Sequence, residues 1–313
     1  MPQVTTLPSG MIVRDARQAL KEKKRLEEEA NKPPEKRIKK AIITAAGRGT
    51  RFLPITKIVP KEMLPLGNLP TIHFLIEECK RSGIEEVAIV VREWGSLTEK
   101  YFEQDRELED YLEQKGKTEL LESIKDPSLG LKISFVKQDP SFPYGNAAPV
   151  LSAENFFDEE DFLLIFGDDL LKGNRLALDE MSRGWFADDA LGAMLSGVEK
   201  ETEDIIHKFG IIDVAQQHET GFHYVKGFVE KPGPKEVVSN ITNVGRVLMR
   251  GEISEYLKRL LTVRDSKREF MLWDAIMMMQ DKYEVGVTTL SSYWYTTGTP
   301  EELKLAARKF AKI

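Results

Sequence analysis

The chain of 313 residues has a single cysteine, Cys79. One thiol can form no disulfide within the chain and builds no cysteine-based zinc cluster. Histidine is nearly as scarce. No two of His73, His207, His218 and His223 stand at the spacing that sets paired metal ligands on one helix face. Long apolar runs are missing too: stretches such as residues 162–166 fall far short of the roughly 20 apolar residues that span a bilayer. The first residues contain no apolar core of the kind a secretory signal needs, and neither an internal repeat nor a low-complexity tract is visible. These absences predict a cytoplasmic globular protein with no membrane partner. Its 41% hydrophobic and 31% charged residues are an ordinary mixture, enough to bury a core without covalent staples.

Charge is unevenly spread. Residues 1–40 carry eleven Lys and Arg against six Asp and Glu, a net of +5, so the rest must carry −11 of the chain's −6. An acidic body argues against nucleic acid as a partner, because such binding rests on a basic face. A phosphate-bearing ligand must then be small and met by a few placed cations. The basic start reads as a separate charged arm over residues 1–37: loose chain to residue 12, then a polar helix over 15–30 stopped by Pro33 and Pro34. Its composition suits a solvated or partly disordered segment, with a subunit contact or a membrane-surface tether as alternatives.

Residues 38–313 read as one domain. Residues 40–46 are an apolar run without alternation, which suits a strand buried on both faces. A helix is predicted over 71–83, with Ile72, Leu75, Ile76 and Cys79 on one face. Strands follow at 86–91, 131–136 and 161–166, separated by charged helical sequence over 96–125 and a short helix over 149–156. Such alternation predicts an α/β fold with a doubly wound, mixed but mostly parallel sheet. The second half reads as strands at 191–198, 210–214, 224–231 and 243–249, with helices over 254–261, 272–281 and 300–312. Ligands of such sheets bind beyond the carboxyl ends of the strands, which points to the segments after Ala46, around Gly145 and at Asp168.

The loop after the first strand reads Ala46-Gly47-Arg48-Gly49-Thr50-Arg51. A Gly-x-Gly alone is weak evidence, but its place directly after a buried strand lets backbone N–H groups approach phosphates. Position 52 is Phe, so the dinucleotide fingerprint is incomplete, and the Gly-Lys-Ser/Thr of a Walker A loop is absent. Arg51 and Lys61 supply two cations close by. At the end of a later strand, Gly167-Asp168-Asp169 offers a carboxylate for magnesium, which takes one or two carboxylates plus phosphate oxygens and water. We assign that role to Asp168.

The segment Gly-x-Gly-Thr-Arg-x-x-Pro-x-Thr-x-x-x-Pro-Lys-Glu-Met-Leu-Pro, from Gly47 to Pro65, resembles the signature of the sugar-1-phosphate nucleotidylyltransferases. Among these it is most similar to the bacterial UTP–glucose-1-phosphate uridylyltransferases, and the likeness runs over roughly residues 38–310. The resemblance implies a Rossmann-like nucleotidyltransferase fold, Mg2+ on Asp168, UTP and glucose 1-phosphate as substrates, and a homodimer or homotetramer. It puts the nucleotide on Ala46, Gly47, Gly49, Thr50, Arg51, Lys61, Gln138 and Gly145. Gly210, Glu230 and Lys231, in Phe209-Gly210 and Glu230-Lys231-Pro232, fall on the sugar phosphate. Catalysis then rests on Arg51, Lys61, Asp168 and Lys231. Val244-Gly245-Arg246 and the Glu269–Asp274 segment also match.

Three departures stand out. Pro143 replaces a glycine of the nucleotide segment, Trp273 replaces a threonine, and Thr296 stands where relatives carry an aspartate that ligates a second time. They leave open another nucleotide or sugar phosphate, or a non-catalytic relative that binds sugar nucleotides. A dehydrogenase is disfavoured by the incomplete fingerprint.

Overall fold

In the computed structural model, residues 5–6, 12–13, 37–93, 96–200, 208–265 and 267–311 are described. The chain divides into two compact units, Met1–Lys36 and Arg37–Ile313. In the first, β1 (Thr5–Thr6) pairs antiparallel with β2 (Ile12–Val13), so residues 5, 6 and 12 of the expected loose chain are paired strand. The helix expected over 15–30 lies outside the described residues.

The second unit is built on β3 (Lys40–Ala45), which explains the missing alternation. Ile43 faces a core shared with Val87 and Ile89, while Ile42 faces the opposite core with Ala88 and Val90. Both faces are covered, so both must be apolar. After β3 come the short antiparallel pair β4 (Pro65–Leu66) and β5 (Leu69–Pro70), helix Thr71–Arg81 and β6 (Glu86–Val91). The charged helical stretch is three helices, Leu97–Phe102, Arg106–Gln114 and Thr118–Lys125. Ser96 and Glu99 form a capping box on the first and Asp105 caps the second, so polar side chains set these starts.

Next are β7 (Lys132–Lys137), helices Ala147–Ser152 and Glu154–Phe157, β8 (Phe162–Phe166), β9 (Asp169–Lys172) and helix Ala177–Trp185. The chain continues with β10 (Leu191–Glu199), β11 (Ile211–Gln217), β12 (His223–Val229) and β13 (Ile241–Met249). It closes with helices Ile253–Val263 and Leu272–Met279, β14 (Glu284–Thr289), β15 (Tyr293–Thr296) and helix Pro300–Phe310. Among the described residues, nine strands form one mixed sheet in the order β10-β14-β12-β11-β13-β8-β3-β6-β7. From β8 to β7 every pairing is parallel; β13 joins β8 antiparallel and leads into a half that is antiparallel except where β10 pairs parallel with β14. Outside this sheet, β9 pairs with β15, setting Asp169 opposite Thr296.

Candidate active site at the strand ends

The glycine-rich loop is held by its own contacts. Gly49 has φ +58°, and a Cβ there would meet Thr56 at 2.9 Å; the Thr56 hydroxyl donates to the Gly49 carbonyl at 2.7 Å. The loop therefore needs glycine at that position. Lys61, in the short helical turn Lys61–Met63, lies against Gly47 and reaches the end of the neighbouring strand, where its Nζ meets Asp168 Oδ2 at 2.5 Å. Burial works against the Lys61 charge, but Asp168 more than offsets it and holds the ammonium above its usual range. Burial likewise opposes the Asp168 charge, and Lys61 overcomes it, so that carboxyl stays below the usual carboxylate range.

Asp169 is spent on structure. Its Oδ1 accepts from Trp294 Nε1 at 2.9 Å, its Oδ2 from the Gly245 amide at 3.0 Å, and its carbonyl from Arg246 Nη2 at 2.9 Å. Burial, then the charge of Asp168, pushes its carboxyl up. Asp168 is the member of the pair whose side chain keeps 30% exposure.

A cavity of about 600 Å³ opens beside it and collects Arg51, Asp168, Gly210, Glu230, Lys231 and Thr296. Arg51 reaches it next to Gly298: a Cβ on that glycine would lie 3.6 Å from Arg51 Nη1. Lys231 has φ +48°, a left-handed conformation that side chains other than glycine adopt at a cost. Its amide is tied to the Phe209 carbonyl at 3.2 Å. Burial raises the Glu230 carboxyl, with Lys231 working against that and Glu269 with it.

Gly47 and Lys61 instead line a smaller, separate space of about 30 Å³. Ala46, Thr50, Gln138 and Gly145 do not line the large cavity. Gln138 follows β7 and donates its backbone N–H to the Val91 carbonyl at 2.8 Å, at the end of β6. A Cβ on Gly145 would sit 2.0 Å from the Phe270 carbonyl oxygen. Around it, Phe270 N donates to the Tyr144 carbonyl, and Leu272 N to Asn146 Oδ1 at 2.7 Å. Gly145 thus serves a backbone clamp between two segments. Gly210 lines the large cavity and also has the Phe228 ring over its Cα, 2.1 Å from where a Cβ would be. Asp274 is a helix-surface charge facing Arg268 at 3.8 Å.

Several lining residues escaped the sequence. Asn146 and Asn243 line the cavity, as do the half-buried rings of Phe209, Phe228 and Trp294. Phe228 sits in a strand whose pattern carries no mark of a ligand, whereas Trp294 opens the segment in which Thr296 replaces an aspartate. Only the register of β9 with β15 brings Trp294 to Asp169.

For a divalent cation the donors are few. Among the described residues, no group of three His, Cys, Asp or Glu side chains converges as a metal site. Asp168 fits as a single carboxylate completed by phosphate oxygens and water. Thr296 adds a neutral hydroxyl that accepts from the Gly298 amide at 3.2 Å.

Comparison with known proteins bears on the chain as a whole. The family model described as Nucleotidyl transferase matches residues 40–312. A UTP–glucose-1-phosphate uridylyltransferase of Staphylococcus haemolyticus is 36% identical over 263 residues, 80% of this chain and 88% of that protein. The UTP-bound UGPase of Acinetobacter baumannii superposes with a TM-score of 0.77 at 30% identity, covering 87% of this chain and 93% of that one. A UDP-glucose pyrophosphorylase complexed with UDP-glucose gives a TM-score of 0.72 at 28% identity, over 87% of this chain and 98% of that one.

Proposed function

The chain belongs to the nucleotidyl transferase family, and we propose that it transfers the uridylyl group of UTP to glucose 1-phosphate, giving UDP-glucose and pyrophosphate. One observation carries this reading. Arg51, Asp168, Glu230 and Lys231 meet in a single cavity at the strand ends, with Lys61 closing on Asp168 from the glycine-rich loop. Residues 38–313 form the catalytic domain in this reading, and residues 1–37 an added arm.

An oxygen of the sugar phosphate forms a bond to the α-phosphorus of UTP. The bond from that phosphorus to the bridging oxygen breaks, and its electron pair leaves with pyrophosphate. The attacking oxygen is already anionic, so no general base is needed. Rate then comes from positioning and charge neutralisation. Lys231 holds the attacking phosphate and Glu230 accepts from sugar hydroxyls. Arg51 offsets charge on the departing pyrophosphate. Lys61 supports the nucleotide phosphates beside Gly47 and Gly49, and Gln138 meets the base at the end of β7. Magnesium, when held by Asp168 and phosphate oxygens, supplies Lewis-acid neutralisation.

The test is pyrophosphate release from UTP, dTTP, CTP, ATP or GTP with glucose 1-phosphate and magnesium. UTP should be preferred by a wide margin. Thr296, neutral and inside the cavity, favours a second reading, a relative that binds sugar nucleotides without turnover. Binding of UDP-glucose with no release from any nucleotide would select it. A homodimer or homotetramer belongs to the first reading and is checked by light scattering. Among the described residues no helix is long and apolar enough to cross a membrane.

A further inference from the structure

Phe228 and Glu230 are two residues apart at the end of β12. Successive strand side chains alternate, so these two share a face, and both line the large cavity. The Phe228 ring is fixed from two sides. Trp273, 5% exposed, stacks on it with ring centroids 4.7 Å apart and planes at 27°. Gly210 lies beneath it, where any Cβ would fall 2.1 Å from Phe228 Cζ and 3.0 Å from Glu230 Oε2. A half-buried aromatic ring, propped from behind and set beside a carboxylate, presents an apolar face next to hydrogen-bond acceptors. A pyranose offers the complementary surface: a patch of C–H groups on one side of the ring, with hydroxyls around its edge.

We infer that Phe228 is the platform on which the hexose of the sugar 1-phosphate stacks, with Trp273 as its prop and Glu230 as the adjoining hydroxyl acceptor. The inference rests on the proposed function, since it concerns the sugar end of the same cavity. The hexose is the better occupant than the base. Phe228 belongs to the antiparallel half of the sheet, whereas the glycine-rich loop and Gln138 follow strands of the parallel half. The aromatic pair therefore acts on affinity for the sugar and not for the nucleotide.

Calorimetric titration with UDP and with UDP-glucose tests this without relying on turnover. In the unaltered protein UDP-glucose should bind more tightly than UDP. Phe228→Leu keeps an apolar side chain but removes the flat face. It should weaken UDP-glucose by about tenfold, the scale of an aromatic contact, and leave UDP within about twofold. Trp273→Thr should shift the same ratio in the same direction by loosening the prop, and Phe228→Tyr should restore it. An equal loss for both ligands would place the ring against the nucleotide and overturn the inference. So would an unchanged ratio in Phe228→Leu, or equal binding of the two ligands by the unaltered protein. Absence of pyrophosphate release with UDP-glucose binding intact would remove the proposed reaction and leave the platform standing.

Discussion

Lys61 and Asp168 form an ion pair with Nζ and Oδ2 2.5 Å apart, joining the loop after β3 to the end of β8. The two strands are parallel neighbours, so their carboxyl ends lie side by side and the pair closes across them. Asp168→Asn keeps the shape and removes the charge. It should lower kcat by about 100-fold or more, the scale of one lost electrostatic contact in a transition state. Lys61, only 18% exposed, then loses its carboxylate, so unfolding free energy should fall by about 1–3 kcal/mol. Steady-state kinetics and urea denaturation read the two effects separately, and near-normal turnover would remove Asp168 from the chemistry.

Lys231 holds its left-handed backbone with Glu230 only 3.9 Å away, both side chains about half exposed. An ion pair so open to water contributes little. Lys231→Gly removes the ammonium and relieves the backbone together. Stability should stay level or rise by about 1 kcal/mol. The KM for glucose 1-phosphate should rise by about tenfold, as for a lost charge-assisted contact, with the KM for UTP nearly unchanged. Equal rises in both would dissolve the division of labour between Lys231 and Lys61.

These contacts differ in how far the sequence discloses them. Ile42 and Ile43 announce a strand buried on both sides because the signal is local and two-sided. Asp168, just beyond β8, and Arg51, in the loop after β3, are local signals too, whereas Lys61 stands out only through its motif, since it lies in the turn Lys61–Met63 well past that strand. The sequence reading assigns no element to helix Ala177–Trp185, although Leu178, Met181, Ser182 and Trp185 repeat at helical spacing and are all buried. The pairing of Asp169 with Thr296 has no local trace, because it depends on two short strands far apart in the chain meeting outside the main sheet. The close neighbours of Gly145 and Gly210, Phe270 and Phe228, become visible only when distant segments are brought together.

Glu62 follows Lys61 and is buried with its Oε2 unpartnered; the Thr98 hydroxyl reaches Oε1 at 3.4 Å. Burial, outweighing its own backbone amide and Lys61, pushes the carboxyl up to about 7. An unfolded glutamate titrates near 4.3. The folded protein therefore binds this proton more tightly, and the resulting stability is complete below the unfolded value and lost as pH rises through about 7. Glu62→Gln lacks this dependence. Unfolding free energies of the two proteins, compared at pH 5 and pH 8, should diverge in the variant's favour at the higher pH by on the order of 3 kcal/mol. A constant difference across that range would mean that Glu62 stays ionised in the folded protein.

Arg246, fully buried in β13, is held by Glu78 of helix Thr71–Arg81 through Nε–Oε1 at 2.7 Å and Nη2–Oε2 at 2.6 Å. The same guanidinium donates to the carbonyls of Gly245 and Asp169, so the pair ties a helix to the turn that carries Asp168. Burial opposes the Arg246 charge and Glu78 restores it. Removing one partner is then far worse than removing both, because it strands a charge in the core. Glu78→Ala should cost about 3–5 kcal/mol of unfolding free energy. The double change Glu78→Leu with Arg246→Met should recover most of it, although the Asp169 carbonyl then loses its donor. If the turn depends on that donor, the double variant will be stable yet slow, with kcat reduced and both KM values nearly unchanged. Recovery of stability and turnover together would show that the pair only holds the fold.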